Sequence, residues 1–258
     1  MNWQTKLDIF MAECHLMQDA IGVLACGSYI TGNPTEHSDL DVHIILNENA
    51  TYRERGNKIV DGLLIEYFAN PPKQILQYFT EDFAERSLMS QVQFATGEII
   101  LDKAGKVAEL KQKATTMVDE FYENTAHNPQ KTSDLAKYFL WDNLDNLTDA
   151  YKTNRRDFDF IYFTNLDTLI STYMAAIGRP YNKMAILGNI TDENVQKKYL
   201  LRNLPDLAIS TAIEMAVTAT DKQERLSAYA NLTTMVLEKF GGFDIDGFRF
   251  RSELALGK

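Results

Sequence analysis

Strand-length apolar runs occur only in the first part of this chain. They fall at about 22–27, 41–47, 62–69 and 98–102, each β-rich and bounded by turn residues. Helical periodicity in that part is expected over 3–20 and from Lys73 to about Phe94. From about residue 106 the strand signals stop, and helices are expected at 106–124, 133–153, 158–177, 192–203, 206–220 and 222–240. Thr132-Ser133-Asp134 and Thr191-Asp192 offer N-cap side chains, while Gly178-Arg179-Pro180 and Gly241-Gly242 offer stops. The clearest loop is His127-Asn128-Pro129, and the alternating tail after Gly242 predicts a short strand or a packed extension. The pattern predicts an α+β fold: a mixed β-sheet domain with flanking helices over 1–105, then an all-α helical bundle domain over 106–258.

Charge and cysteine content narrow the partners. A formal net charge of −10 over 258 residues argues against a protein built to grip polynucleotide phosphate, so no polynucleotide groove is expected. Cys14 and Cys26 are too few for a disulfide framework and lack metal spacing, which fits a reducing cytosol. Cys26, inside the first strand, reads as a small core residue. The opening MNWQTKLDIF lacks a signal-peptide layout, and no run approaches the roughly 18 apolar residues of a membrane span. A soluble cytoplasmic protein without a membrane partner is the expectation.

Chemistry concentrates in ACGSYITGNPTEHSDLDVHIIL, where two apolar runs flank a turn. Asp39 and Asp41 stand two residues apart at the head of the second run, so strand alternation aims both carboxylates one way. Two acids aimed at one spot repel unless a cation lies between them. A hard divalent ion with oxygen ligands suits that place, and Mg²⁺ is the usual choice where a substrate phosphate supplies further ligands. Gly27-Ser28 supplies backbone N–H groups and a hydroxyl that suit a triphosphate. A solvated turn, or a helix cap at Ser38-Asp39, is the bland reading; the strand character of Val42–Leu46 opposes the cap.

The Gly27-Ser28 turn followed by Asp39-Leu40-Asp41 resembles the signature of the DNA polymerase β-like nucleotidyltransferase superfamily. Its members carry a third carboxylate on a later strand, and Glu66, the acid inside LLIEYF, is the matching position; Asp61 is an available substitute. The motif spans about residues 22–68. The resemblance implies two Mg²⁺ ions held by Asp39, Asp41 and Glu66, with Gly27, Ser28 and Ser38 on the nucleotide. Catalytic domain followed by helices is similar in layout to the kanamycin-type branch, which transfers AMP from ATP to a hydroxyl of a small molecule, an aminoglycoside-type antibiotic among them. Many small-molecule members carry Arg before the glycine at position 32, where this chain has Thr31, so an extra phosphate contact there is not implied. Relatives in this branch build their site across a dimer, which implies a homodimer, although no self-complementary patch is readable here.

Antibiotic-modifying relatives take a general base from the helical half. Asp142, Asp145 and Asp149 share one helix face, and Asp142 is the expected base; a merely solvated face is the alternative. Lys183 is the expected triphosphate contact from the helical half, against an ordinary surface lysine. Arg53, Arg55 and Lys58 form either a basic patch near the acids or a solvated face. His37 and His43 lack zinc spacing, and His43 shares the strand face of the two aspartates. A transferase acting on protein or tRNA, as in toxin–antitoxin relatives, and a catalytically silent nucleotide-binding regulator stay open as alternatives.

Overall fold

A computed structural model describes residues 2–123 and 128–252. His127 of the expected loop and residues 253–258 of the tail lie outside the described residues. In chain order the elements are α1 (Trp3–Glu13), β1 (Ala20–Cys26), α2 (Ser28–Thr31), β2 (Leu40–Leu46), β3 (Glu54–Val60), β4 (Leu63–Asn70), α3 (Pro72–Glu85), α4 (Met89–Thr96), β5 (Glu98–Asp102), α5 (Lys106–Glu123), α6 (Asp134–Lys152), α7 (Phe158–Ala176), α8 (Ile186–Thr191), α9 (Glu193–Tyr199), α10 (Leu207–Thr218) and α11 (Lys222–Lys239). The α+β class is the observed one.

Two compact units emerge. The first combines Met1–Asn124 with Thr191–Arg202, so α5 and α9 group with the sheet; the second combines Thr125–Ile190 with Asn203–Lys258. In the first unit five strands form one mixed sheet in the order β3-β4-β2-β1-β5. The β2–β4 pair is parallel and the other pairs are antiparallel.

Both faces of the central strands are covered, which explains why β2 reads as a nearly continuous apolar run. On one face Val42, Ile44, Val23 and Ile65 pack with Leu7 and Phe10 of α1. On the other, Leu24, Cys26 and Ile45 meet Ile75 and Phe79 of α3, Phe94 of α4 and Leu110 of α5. Asn2 caps α1 by accepting from the Thr5 N–H.

Three expectations are corrected. The helix expected over 3–20 ends at Glu13; His15–Gln18 tightens into a 3₁₀ turn that drives Leu16 into the core at 1% exposure. The helix expected from Lys73 to Phe94 is two, because Arg86 and Leu88 take left-handed φ of 63° and 56°. Leu88 is thereby buried, and Asp82 accepts from the Ser90 N–H at 2.7 Å to start α4. The stretch expected to connect two strands is itself β3, a polar edge strand turned back into β4 at Asp61-Gly62, whose φ values of 46° and 80° are those of a tight hairpin turn.

The second unit packs α6, α7, α10 and α11 around Leu140, Leu147, Tyr162, Tyr173, Tyr229 and Phe240. Ser133, Asp206 and Asp221 cap α6, α10 and α11, each side chain accepting from the first-turn backbone of its helix. Past Gly242 the described tail forms a packed extension, with the Phe248 ring stacked on Tyr138 at 4.8 Å. Among the described residues no helix is long and apolar enough to cross a membrane.

Candidate active site

The site forms where β2 and β4 run side by side. In their parallel register Asp41 lies opposite Glu66, which puts the two carboxyls on one sheet face. Asp39, two residues earlier, joins them. One carboxylate oxygen from each of Asp39, Asp41 and Glu66 lies within 4.8 Å of the others. All three residues are half-buried.

Crowding three acids at a partly desolvated spot has a cost, and Asp41 shows it. Burial first, then the charges of Asp39 and Glu66, raise its carboxyl from 3.8 to about 6, against the pull of Lys198 and Arg55. Arg55 donates to Glu66 Oε1 from Nε at 3.1 Å and from Nη2 at 2.7 Å. An all-oxygen donor set short of positive charge fits a hard divalent cation such as Mg²⁺.

Gly27 precedes α2 with φ 85° and ψ −159°, a conformation open essentially to glycine. A Cβ there would lie 2.5 Å from Asp41 Oδ2, so glycine is required twice over. Ser28 opens the short helix, and its hydroxyl accepts from Lys198 Nζ at 2.7 Å. Lys198 sits on α9, which packs on α2 and α4. Tyr199 and Leu200 anchor that helix against Leu88, Val92 and Phe121, and Asp192 caps its start.

Cys26 pairs with Asp41 across β1 and β2 and is fully buried; desolvation holds its thiol well above the usual range. His43 shares the face of the acids, as alternation predicts, but turns inward. It is 8% exposed, meets Gln93 Oε1 at 3.2 Å and stacks on Phe68, and burial lowers its pKa from 6.5 to about 4. His37 is exposed beside Glu36. Ser38 closes its own turn, its hydroxyl accepting from the Thr35 N–H at 2.9 Å.

No protein-family model matches the chain, and no curated protein matches it. Among solved structures, it is similar to a nucleotidyltransferase-like protein from Exiguobacterium sibiricum 255-15, over 93% of this chain and 76% of that one, at 10% identity and a TM-score of 0.42.

Asp142 and Lys183 belong to the second unit. Asp142 is half-buried on α6 and accepts from Asn146 Nδ2 at 3.0 Å; Asp145 and Asp149 are exposed along the same helix. Lys183 is exposed at the start of a 3₁₀ turn, Lys183–Ala185. Lys198 went unnoticed in the sequence. No local signal marks it, since the chain brings it to Ser28 from 170 residues away.

Proposed function

We propose that this protein transfers a nucleoside monophosphate, AMP from ATP, to a hydroxyl of a small molecule. The observation that carries this reading is the in-register pairing of Asp41 with Glu66, which gathers them with Asp39 beside a glycine-serine turn held by a lysine. Asp39, Asp41 and Glu66 are the proposed ligands of Mg²⁺, two ions in the full assembly. Bound there, the metal would supply positive charge that stabilises the phosphoryl oxygens and the leaving group.

The chain's own groups do the positioning. The open backbone at Gly27 lets the triphosphate approach, the Ser28 hydroxyl and Ser38 orient it, and Lys198 neutralises its charge. Lys183 is a second proposed triphosphate contact. In the reaction the acceptor oxygen bonds to the α-phosphorus while the bond to the α,β-bridging oxygen breaks. Pyrophosphate departs with that electron pair, and the hydroxyl proton passes to Asp142, the proposed base. An aminoglycoside-type antibiotic is the acceptor that the resemblance implies.

The test is pyrophosphate release with ATP, Mg²⁺ and a panel of hydroxyl-bearing acceptors, read together with the acceptor's mass gain. The reading expects release that requires Mg²⁺ and vanishes in Asp41→Asn with the fold kept. Full activity in that variant would sink it. Label moving into protein or tRNA would replace the small acceptor by a macromolecular one, and ATP binding without turnover on any acceptor would leave a silent nucleotide-binding regulator.

A further inference from the structure

Along the sheet face that carries the acids runs a cleft of ≈ 460 Å³, floored by β2 and β4 and walled by α3 and α4. It begins where the acids end. His43 and Phe68 each stand two residues beyond Asp41 and Glu66, which on a strand means the same face about 6–7 Å further along. Their rings stack at 5.3 Å, and Phe94 meets His43 at 4.8 Å.

The charge of this cleft differs from that of the acids. Arg55 lies over the Phe68 ring at 4.9 Å while its guanidinium reaches Glu66. Arg53 donates from Nη1 to the Tyr78 hydroxyl at 2.6 Å. The acid on the lining, Glu54, is engaged by the Tyr67 hydroxyl and by His15. Two guanidiniums beside stacked rings suit an anion carried on a planar ring, and a polycation would meet like charge.

We propose that this cleft binds a small planar-ring molecule bearing a carboxylate or phosphate, and that this molecule, in place of the aminoglycoside-type polycation that the resemblance implies, is the hydroxyl acceptor. The second half rests on the nucleotidyl-transfer reading above; the binding itself does not. Arg53 is a positioning residue for the anion, and Arg55 is shared between the cleft and Glu66.

Calorimetric titration of the full chain without nucleotide tests it, using 4-hydroxybenzoate, phenyl phosphate, the neutral 4-hydroxybenzyl alcohol and the polycation neamine. At least one of the two anions is expected to bind tenfold or more tightly than the neutral and cationic probes, and the stronger of the two identifies the anion. Arg53→Gln is expected to weaken it tenfold or more with unchanged melting temperature and unchanged Mg²⁺–ATP binding. No anion binding at millimolar concentration, equal affinity for the neutral alcohol, preference for neamine, or undiminished affinity in Arg53→Gln would each overturn the proposal. Any of these leaves nucleotidyl transfer standing, whereas anion binding without ATP binding would sink the transfer reading alone.

Discussion

Asp41 on β2 and Glu66 on β4 stand opposite each other in a parallel strand pair, so their backbone positions are fixed by the sheet. The rigidity matters because a carboxylate on a loop would swing away from its like-charged neighbours. Here backbone pairing and a buried Ile65 beneath hold Glu66 in place, and Arg55 and Lys198 supply the positive charge that makes the crowding tolerable. The same crowding is what a divalent cation would relieve.

Gly27 is the least replaceable residue of the site. Gly27→Ala would combine a positive φ with a Cβ 2.5 Å from Asp41 Oδ2. The expected outcome is a loss of about 1–3 kcal/mol in stability together with loss of Mg²⁺-dependent ATP binding. Urea denaturation and ATP titration of the variant check this; unchanged ATP affinity would show that the turn is not the phosphate seat.

Lys198 is expected to matter for the triphosphate and little for the fold. Lys198→Gln removes the partner of the Ser28 hydroxyl and a cation that lowers the Asp41 pKa. ATP affinity should fall about tenfold or more, the scale of a charge-assisted contact, with partial rescue by Lys198→Arg. An ATP titration of the three proteins decides it, and a parallel Lys183→Gln variant reports whether the lysine expected from the sequence shares the role.

The contrast between these lysines shows what a sequence can carry. Asp39, Asp41 and Glu66 were legible because acid spacing on an apolar run is local, and His43 followed from the same alternation. That Glu66 faces Asp41 was not legible, since strand pairing joins segments 25 residues apart. The strand β3 hid because an edge strand with little core to meet reads as Glu-Arg-Gly-Asn-Lys; the Asp61-Gly62 turn before β4 was the signal that would have exposed it. Lys198 left no trace, because the chain passes through residues 125–190 of the second unit before α9 returns to the sheet unit.

The half-buried Asp41 and the buried His43, on one sheet face, make opposite demands on pH. Asp41 has its folded pKa raised from 3.8 to about 6, so its contribution is most favourable below pH 4 and is lost as pH rises through 6. His43 has its folded pKa lowered from 6.5 to about 4, so its contribution is full above 6.5 and is lost as pH falls toward 4. The metal-free protein is therefore expected to change little in stability across this window. Asp41→Asn should uncover the histidine loss, about 2–3 kcal/mol between pH 6.5 and 4. His43→Gln should uncover the opposite slope, about 1–2 kcal/mol after solvent screening of a half-exposed carboxylate. Urea midpoints of the three proteins at pH 4.5 and 7 check both signs, and identical slopes in all three would show that neither group titrates as described.

Asp142 offers a test of the second unit. As the proposed base, it takes a proton only while transfer proceeds, so its loss should fall on kcat rather than on nucleotide binding. Asp142→Asn keeps the size of the side chain and its place beside Asn146 on an already half-exposed helix face, which predicts a stability change under about 0.5 kcal/mol. The expected result is a fall in kcat of about 10²-fold or more, with KM for ATP unchanged. Asp145→Asn, one turn further along and exposed, is the control that should leave kcat unaltered. Equal kcat in the Asp142 variant and the wild type would remove Asp142 from the reaction and leave the acidic stripe a solvated helix face.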